Sequence, residues 1–302
     1  MRAICLTLIV SIAAAATAAA QLEPRWKPVA KLNSPQQYHA CVTADGKIYA
    51  LGGYGQGACE RYDPENDTWS LLPQIPTQRA FPAAAAVGRR IYVFGGLDDK
   101  QKTVAVVECF DVDRQAWQSC CELPTPRNRL AALAIHEKIL VLGGMDKDGD
   151  SAAVEEFDPA TGRWTSRAPM PSARHGLSAV AIDGKVLALG GYGPRPVATV
   201  EEYDPANDRW TKKADMPTPR GFFGAAAAKG YVFAIAGRVP GGRPVERFDP
   251  GSDSWKRLDP MPGEILNRFG IAVFDERIYL VGGERQQDES APFKVWRYEP
   301  EK

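Results

Sequence analysis

Five acidic side chains stand close together in one stretch of the sequence: Asp146, Asp148, Asp150, Glu155 and Glu156. Alternating carboxylates of this kind supply the oxygen ligands that calcium prefers. A calcium loop of the EF-hand type also needs Gly at its sixth position and Glu at its twelfth. Counted from Asp146, those positions hold Ser151 and Phe157. We therefore predict no metal site in this stretch and expect a long acidic loop instead.

Histidine chemistry is sparse, because the chain has only 3 histidines. A copper oxidase centre needs two His and two Tyr side chains around one metal. No nucleophile elbow, phosphate-binding loop or zinc-ligand spacing is present in the sequence. The sequence therefore predicts no cofactor, although Glu284, Arg238, Arg268 and His175 would supply acid–base pairs if the fold brings them together.

The overall charge is balanced, with 37 basic and 37 acidic residues, so we do not predict binding to nucleic acid. The first residues resemble a signal peptide: Arg2 precedes an apolar run, and Thr17 to Ala20 are small. The apolar run is shorter than the ~20 residues of a membrane-spanning helix. We expect residues 1–20 to be removed and the protein to be secreted or periplasmic, without membrane insertion.

An internal repeat organises the rest of the chain. A Gly-Gly pair recurs, with Ala-Gly once in its place, and the second glycines are Gly53, Gly96, Gly144, Gly191, Gly237 and Gly283. The steps between them are 43, 48, 47, 46 and 46 residues. An aromatic residue with Trp seven positions later recurs as Tyr62/Trp69, Phe110/Trp117, Phe157/Trp164, Tyr203/Trp210 and Phe248/Trp255. Periods of this length are typical of solenoids and propellers.

Each repeat divides into four short β-strands. In one repeat, HGLSAVAI is a small apolar strand, and KVLALGG follows it after the Asp183-Gly184 hairpin turn. ATVEEYDP and DRWTKKADMP are the third and fourth strands. Four antiparallel strands per repeat build one blade of a β-propeller. Glycine allows strands to crowd near the axis, and the Trp ring fills the gap between blades.

The Gly-Gly pair, the Glu-x-(Tyr/Phe)-Asp-Pro element and the spaced Trp together resemble the Kelch repeat. The resemblance covers nearly all of residues 21–302 and implies one all-β domain, a six-bladed Kelch β-propeller. The last repeat ends after Tyr298 without its Trp, whereas Trp26 stands outside the other repeats in a matching segment. We expect the N-terminal strand around Trp26 to complete the sixth blade, which closes the ring and removes exposed sheet edges.

The repetition separates scaffold positions from candidate binding positions. Arginine recurs just before the inner strand, at Arg79, Arg127, Arg174 and Arg220. Glutamate recurs two residues before the aromatic, at Glu60, Glu108, Glu155, Glu201 and Glu246. Positions that are alike in most repeats serve the fold, so we predict structural roles for both sets.

Two other positions vary among the repeats, and the Kelch resemblance implies that both open onto the ligand-binding face. The first lies two residues after the arginine position, at Tyr38, Phe81, Arg129, Gly176, Phe222 and, with a one-residue shift, Arg268. The second directly follows the Gly pair, at Tyr54, Leu97, Met145, Tyr192, Arg238 and Glu284. Arg129 resembles an arginine with which Kelch adaptors hold acidic peptides. We predict ten ligand contacts: Tyr38, Tyr54, Phe81, Arg129, His175, Tyr192, Phe222, Arg238, Arg268 and Glu284.

Arginine beside aromatic rings suits a carboxylate or a sugar acid, although the same rings would also serve as a plug at the channel mouth. We predict a monomeric, non-catalytic module that binds a protein or carbohydrate ligand. The first alternative is a periplasmic mutarotase or epimerase for a sialic acid-type sugar, since such enzymes are also secreted six-bladed Kelch propellers. The second is an adhesive or structural surface module. No BTB-like segment precedes the repeats, so we do not expect a ubiquitin-ligase adaptor.

Overall fold

The computed structural model describes residues 25–54, 58–239, 242–262, 268–283 and 293–301. The predicted signal peptide, residues 1–20, and the predicted contact Glu284 lie outside the described residues. The elements in the described part are β-strands, and no membrane-spanning helix is found there. The strands form six four-stranded antiparallel sheets and one short hairpin.

Blades 1 to 3 each use four consecutive long strands. Blade 1 contains β2 (Ala40–Ala44), β3 (Lys47–Leu51), β4 (Cys59–Asp63) and β5 (Thr68–Leu72). Blade 2 contains β6 (Ala83–Val87), β7 (Arg90–Phe94), β8 (Val106–Asp111) and β9 (Ala116–Glu122). Blade 3 contains β10 (Ala131–Ile135), β11 (Lys138–Leu142), β14 (Val154–Asp158) and β15 (Arg163–Arg167). The short hairpin between β11 and β14 consists of β12 (Met145–Asp146) and β13 (Gly149–Asp150).

Blades 4 and 5 repeat this arrangement, whereas blade 6 takes strands from both ends of the chain. Blade 4 contains β16 (Ser178–Ile182), β17 (Lys185–Leu189), β18 (Val200–Asp204) and β19 (Arg209–Lys212). Blade 5 contains β20 (Gly224–Ala228), β21 (Tyr231–Ile235), β22 (Val245–Asp249) and β23 (Ser254–Leu258). Blade 6 contains β24 (Gly270–Phe274), β25 (Arg277–Val281), β26 (Val295–Tyr298) and β1 (Trp26–Val29).

The first strands of the blades surround a central axis. β2, β6, β10, β16, β20 and β24 contact one another in that order, and β24 contacts β2 again. The circle is therefore closed, and the second, third and fourth strands of each blade extend outward from it. This arrangement confirms the six-bladed propeller.

The N-terminal strand closes the ring, as the sequence predicts. β1 pairs with β26 in an antiparallel register that sets Trp26 opposite Tyr298, and the two ring centres are 4.6 Å apart. Just beyond β1, the Leu32 N–H donates to the Phe293 carbonyl at 3.0 Å. The chain ends thereby share one sheet, so the sixth blade depends on both of them.

The recurring Trp residues join neighbouring blades. The indole N–H of Trp210 donates to the Ala168 carbonyl of the preceding blade at 2.8 Å, and that of Trp255 donates to Ala214 at 2.9 Å. Trp69 and Trp117 make the same bond. The Trp position therefore combines apolar filling with a hydrogen bond across the gap, which suits a ring that carries one polar atom.

The recurring arginines and glutamates form buried ion pairs. Arg127 donates to Glu155 at 2.7 Å and to the Ala153 carbonyl at 2.8 Å, and the Arg127 side chain is fully buried. Equivalent pairs join Arg79 to Glu108, Arg174 to Glu201 and Arg220 to Glu246. In each of these four pairs the guanidinium also bonds backbone carbonyls, so its burial leaves its charge well partnered. The predicted structural roles are confirmed.

Blade 1 departs from this pattern. Gln36 stands where blades 2 to 5 have Arg, and buried Glu60 accepts hydrogen bonds from the backbone of Asn33 and Ser34 and from the Asn33 amide. The glutamate therefore keeps its structural role with different donors, at distances of 2.7 to 2.9 Å.

The acidic stretch forms the hairpin β12–β13, as expected of a long loop. Met145 pairs with Asp150, and the Asp148 N–H donates to the Asp146 carboxylate at 2.8 Å. Lys147 also forms an ion pair with Asp148 at 2.6 Å. Within the described residues, no group of three or more His, Cys, Asp or Glu side chains is arranged to hold a metal ion.

Candidate functional site

Six residues, one from each blade, surround one mouth of the central channel, and five backbone hydrogen bonds link consecutive members. We name these residues the collar; its members are Tyr38, Phe81, Arg129, Gly176, Phe222 and Arg268. The N–H of Phe81 donates to Tyr38 at 2.8 Å, and the N–H of Tyr38 donates to Arg268 at 2.9 Å. The same bond links Phe81 to Arg129, Arg129 to Gly176 and Gly176 to Phe222. The structure thus brings the first predicted set together, including the shifted Arg268.

Every collar residue has a left-handed backbone. The φ angles are 59° at Tyr38, 57° at Phe81, 55° at Arg129, 51° at Phe222 and 63° at Arg268. A side chain in this region costs roughly 1 kcal/mol or more, which surrounding structure must offset. The N–H···O=C bonds of the collar provide that support. Large side chains at strained positions are typical of functional sites, so the collar is the first candidate.

The aromatic collar side chains meet over the axis. The ring centres of Tyr38 and Phe81 are 4.1 Å apart. Phe81 and Phe222, from opposite blades, have ring centres 6.0 Å apart. Gly176 makes room for this contact, because a Cβ there would lie 3.0 Å from the Phe222 ring. The rings therefore narrow the channel mouth, which is the plug that the sequence also suggested.

Two arginines flank the aromatic rings on opposite sides of the collar. The guanidinium carbon of Arg129 lies 4.5 Å from the centre of the Phe81 ring, and that of Arg268 lies 4.4 Å from the centre of the Tyr38 ring. These are cation–π contacts. Arg129 is half-buried, and desolvation lowers the pKa of its guanidinium. A cavity of about 140 Å³ lies between the collar side chains.

The described members of the second predicted set, in blades 1 to 5, lie on the same face as the collar. Residues that follow the Gly pairs form isolated antiparallel bridges with the residues just before the collar: Leu97 with Ala80, Met145 with Asn128, Tyr192 with His175 and Arg238 with Gly221. Tyr54 joins in through its N–H, which donates to the Gln37 carbonyl at 3.0 Å. These pairings explain why two distant positions of these repeats open onto one surface.

The predicted contacts of this second set differ in exposure. Tyr54 is 45% exposed, and its ring centre lies 5.2 Å from that of Tyr38. Tyr192 packs with its ring centre 5.4 Å from that of Phe222, whereas Arg238 is exposed. The collar and these neighbours form a single aromatic surface edged by cations.

His175 has a carboxylate partner that the sequence did not reveal. Its Nδ1 lies 2.5 Å from an Asp150 carboxylate oxygen at the end of the β12–β13 hairpin. Its ring also stacks on Tyr192, with centres 5.7 Å apart. The acidic hairpin therefore contributes to the collar face through Asp150. The only sequence signal was the extra length of this loop, which does not specify a partner.

A wider cavity continues below the collar along the axis. It has a volume of about 440 Å³ and is lined by the first strands of the blades, with alanine as the most frequent lining residue. His39, directly after Tyr38, lines both this channel and the collar cavity. His39 is not among the ten predicted contacts, because a residue just before an apolar strand gives no binding signal by itself.

Known proteins share both the repeat and the fold. Residues 38–237 match the KLHDC2/KLHL20/DRC7 Kelch-repeats domain. The chain is 31% identical over 83 residues to Kelch-like protein 15 of Danio rerio, which is 24% of this chain and 14% of that protein. It is 35% identical over 81 residues to F-box protein AFR of Arabidopsis thaliana, which is 25% of this chain and 22% of that protein. The chain thus matches only a minor part of these relatives' length.

A solved structure, "Structure of YjhT", supports the same fold. Its TM-score is 0.78 at 15% identity, over 88% of this chain and 95% of that chain. At this identity the likeness concerns the fold alone. The Kelch domain match covers most of the six blades. Kelch propellers are protein-interaction modules. The chain belongs to the Kelch-repeat family.

Proposed function

We propose that this Kelch propeller is a secreted or periplasmic, monomeric binding module that recognises a carboxylate-bearing ligand on the collar face without catalysis. The ligand is an acidic protein segment or a sugar acid, which share this chemistry. The N-terminal sequence supports the compartment, and the collar geometry supports the ligand class.

One observation carries the proposal: Arg129 and Arg268 stand on opposite sides of the collar, each over an aromatic ring. Stacking on an aromatic ring orients a guanidinium plane, and the guanidinium group binds carboxylates through its N–H donors. The Nη1 of Arg129 donates to the Asn128 side chain at 2.6 Å, which fixes the group further. A preset, half-buried guanidinium loses little entropy on binding, and its hydrogen bonds to a carboxylate are charge-assisted.

The surrounding rings add contact area for either kind of ligand. Phe81, Phe222 and Tyr192 present ring faces at the same mouth, and the exposed Tyr54 lies at its edge. Aromatic faces bind the apolar side of a sugar or an apolar peptide side chain, so specificity rests on the arginines.

The second candidate function is a sugar mutarotase or epimerase. The observation in its favour is the contact between His175 and Asp150, because a carboxylate that orients an imidazole is a general acid–base arrangement. The pair lies on the collar face beside Tyr192. An NMR assay of anomer interconversion in sialic acids tests this function. A rate above the spontaneous one that disappears in His175→Ala supports the enzyme, and the spontaneous rate alone excludes it for those sugars.

A parallel screen of acidic peptides and of an array of acidic and neutral glycans tests the binding proposal and separates its two ligand sources. Binding confined to acidic members of either set supports the collar proposal. A preference for neutral members contradicts it. Capture of a partner from the native extracellular fraction that is indifferent to Arg129→Ala points instead to the third possibility, an adhesive surface module.

A further inference from the structure

One packing position differs in blade 1 from all the other blades. The residue that directly follows the collar is apolar in blades 2 to 6, where it is Pro82, Leu130, Leu177, Phe223 and Phe269. In blade 1 it is His39. Phe269 and Ile271 approach Gly224 of the preceding blade, and His39 and Cys41 approach Gly270 in the same way. The repeat therefore shows that an apolar side chain suffices for packing here.

His39 is poorly satisfied at this position. It is 7% exposed, and within the described residues neither ring nitrogen has a hydrogen-bond partner. A buried polar group without a partner costs roughly 1–3 kcal/mol. A neutral imidazole carries a lone pair on one of its two ring nitrogens. The imidazole therefore keeps a lone pair that no described residue uses.

The thiol of Cys41 lies beside this imidazole. His39 and Cys41 are two positions apart, so they are on the same side of the strand. The His39 Nε2 and the Cys41 Sγ lie 2.7 and 2.2 Å from the position that a Cβ at Gly270 would take. The next residue on that side, Thr43, donates its hydroxyl to the Val273 carbonyl at 2.7 Å and does not join them. Among the described residues, no third His, Cys, Asp or Glu completes a cluster.

We propose that His39 Nε2 and Cys41 Sγ form a two-coordinate site for a soft monovalent metal ion, Cu(I), in the central channel. This site is independent of the carboxylate site proposed for the collar. Thiolate is the ligand that selects Cu(I), and neutral imidazole binds it as well. Divalent ions such as zinc usually require four ligands, which this pair does not supply.

The chemistry of binding suits the surroundings. On binding, the Cys41 S–H bond breaks, its proton leaves to solvent, and an S–Cu bond forms without change of oxidation state. The thiolate–Cu(I)–imidazole complex carries no net charge, so the apolar channel accommodates it at lower cost than a bare thiolate. His39 lines the wider axial cavity as well as the collar cavity, so the proposed site borders the channel.

Cu(I) competition with the chromogenic chelator bicinchoninate, under anaerobic reducing conditions, tests the site. Cys120 and Cys121 form no disulfide and are at least partly exposed, so the background protein carries Cys120→Ser and Cys121→Ala. We expect this background to bind one Cu(I). His39→Leu and Cys41→Ala should each weaken binding at least tenfold, whereas the control Cys109→Ala should not. Both test variants introduce residues that other blades carry at the same position, and circular dichroism checks their fold.

The outcomes decide the proposal in either direction. Loss of Cu(I) in both variants, together with one sulfur and one nitrogen neighbour in X-ray absorption spectra, supports it. Undiminished binding in either variant, or no binding by the background protein, overturns it. His39→Phe, which copies blades 5 and 6, repeats the test if His39→Leu does not fold.

Discussion

The Arg129 guanidinium carbon lies 4.5 Å from the centre of the Phe81 ring, so the collar residue of blade 3 packs on the collar residue of blade 2. The two residues are also joined through the backbone, since the Arg129 N–H donates to the Phe81 carbonyl at 3.2 Å. The contact therefore couples a candidate ligand group to the backbone hydrogen bonds that support it. Arg129 and Phe81 therefore both shape the channel mouth and take part in the backbone hydrogen bonds around the propeller axis.

Gly176 should be the collar position least tolerant of a side chain. In Gly176→Ala the new Cβ would meet the Phe222 ring at 3.0 Å and would also sit at a φ of 59°. Gly162→Ala is the matched control, because its φ is 70° and nothing lies within 4 Å of the new Cβ. We expect each variant to lose about 1 kcal/mol of unfolding free energy because alanine is strained at a positive φ. Gly176→Ala should lose about 1–2 kcal/mol more because its Cβ crowds the Phe222 ring. Urea denaturation measures both; equal losses would show that the Phe222 ring moves aside freely.

The buried ion pairs should dominate the effect of scaffold mutations. Arg127→Met leaves Glu155 buried without its cation, so we expect a loss of about 3–5 kcal/mol in unfolding free energy. The double variant Arg127→Met/Glu155→Leu should recover most of this loss, because both desolvation costs disappear. Arg163→Ala, on the exposed side of β15, should change stability by less than about 0.5 kcal/mol. A double variant no more stable than Arg127→Met contradicts the account.

The contribution of the interblade Trp hydrogen bond to stability should be measurable by comparing Trp255, which makes the bond, with Trp164, which does not. Trp255 donates to the Ala214 carbonyl at 2.9 Å, whereas the buried Trp164 Nε1 has no partner within the described residues. Trp255→Phe removes a hydrogen bond and Trp164→Phe does not. We expect thermal or urea unfolding to show a loss about 1 kcal/mol greater at Trp255. A loss of equal size at both positions would assign the whole effect to packing.

The Asp158 carboxyl, at the end of β14, should titrate at an unusually low pH. The Lys138 ammonium donates to Asp158 at 2.6 Å and, with backbone and hydroxyl donors, lowers the pKa of that carboxyl to about 2. The stabilisation from this depressed pKa is present above the ordinary carboxyl value near 4 and disappears as the pH falls through about 2. Carboxyl NMR titration of Lys138→Ala should show the Asp158 pKa raised. The equivalent Asp204, which pairs with Lys185, should keep its value of about 2 in that variant.

The period of the sequence was sufficient to predict the ring and the collar positions. The Trp26 strand and the shifted Arg268 both follow from alignment of repeats, because every blade obeys the same register. Contacts between blades were harder to predict. The pairing of His175 with Asp150 and the contact of Phe81 with Phe222 join residues 25 and 141 positions apart, and neither follows from the register of one repeat.

The difference between blade 1 and the other blades at His39 and Cys41 could be interpreted only with the structure. His39 and Cys41 occupy strand positions that are apolar or small elsewhere, and the missing hydrogen bonds of the imidazole are visible only in the packed structure. Ligand contact by the ten predicted residues, export of the protein and its monomeric state stay predictions.

Calorimetric titration of the tightest acidic ligand from the screen tests the central claim most directly. The account predicts that Arg129→Ala and Arg268→Ala each weaken binding about tenfold or more, because each removes a charge-assisted hydrogen bond of roughly 1.5–3 kcal/mol. Arg163→Ala, far from the collar on β15, should bind as tightly as the unmodified protein. Equal affinity in all four proteins would contradict the assignment of the collar face as the binding site.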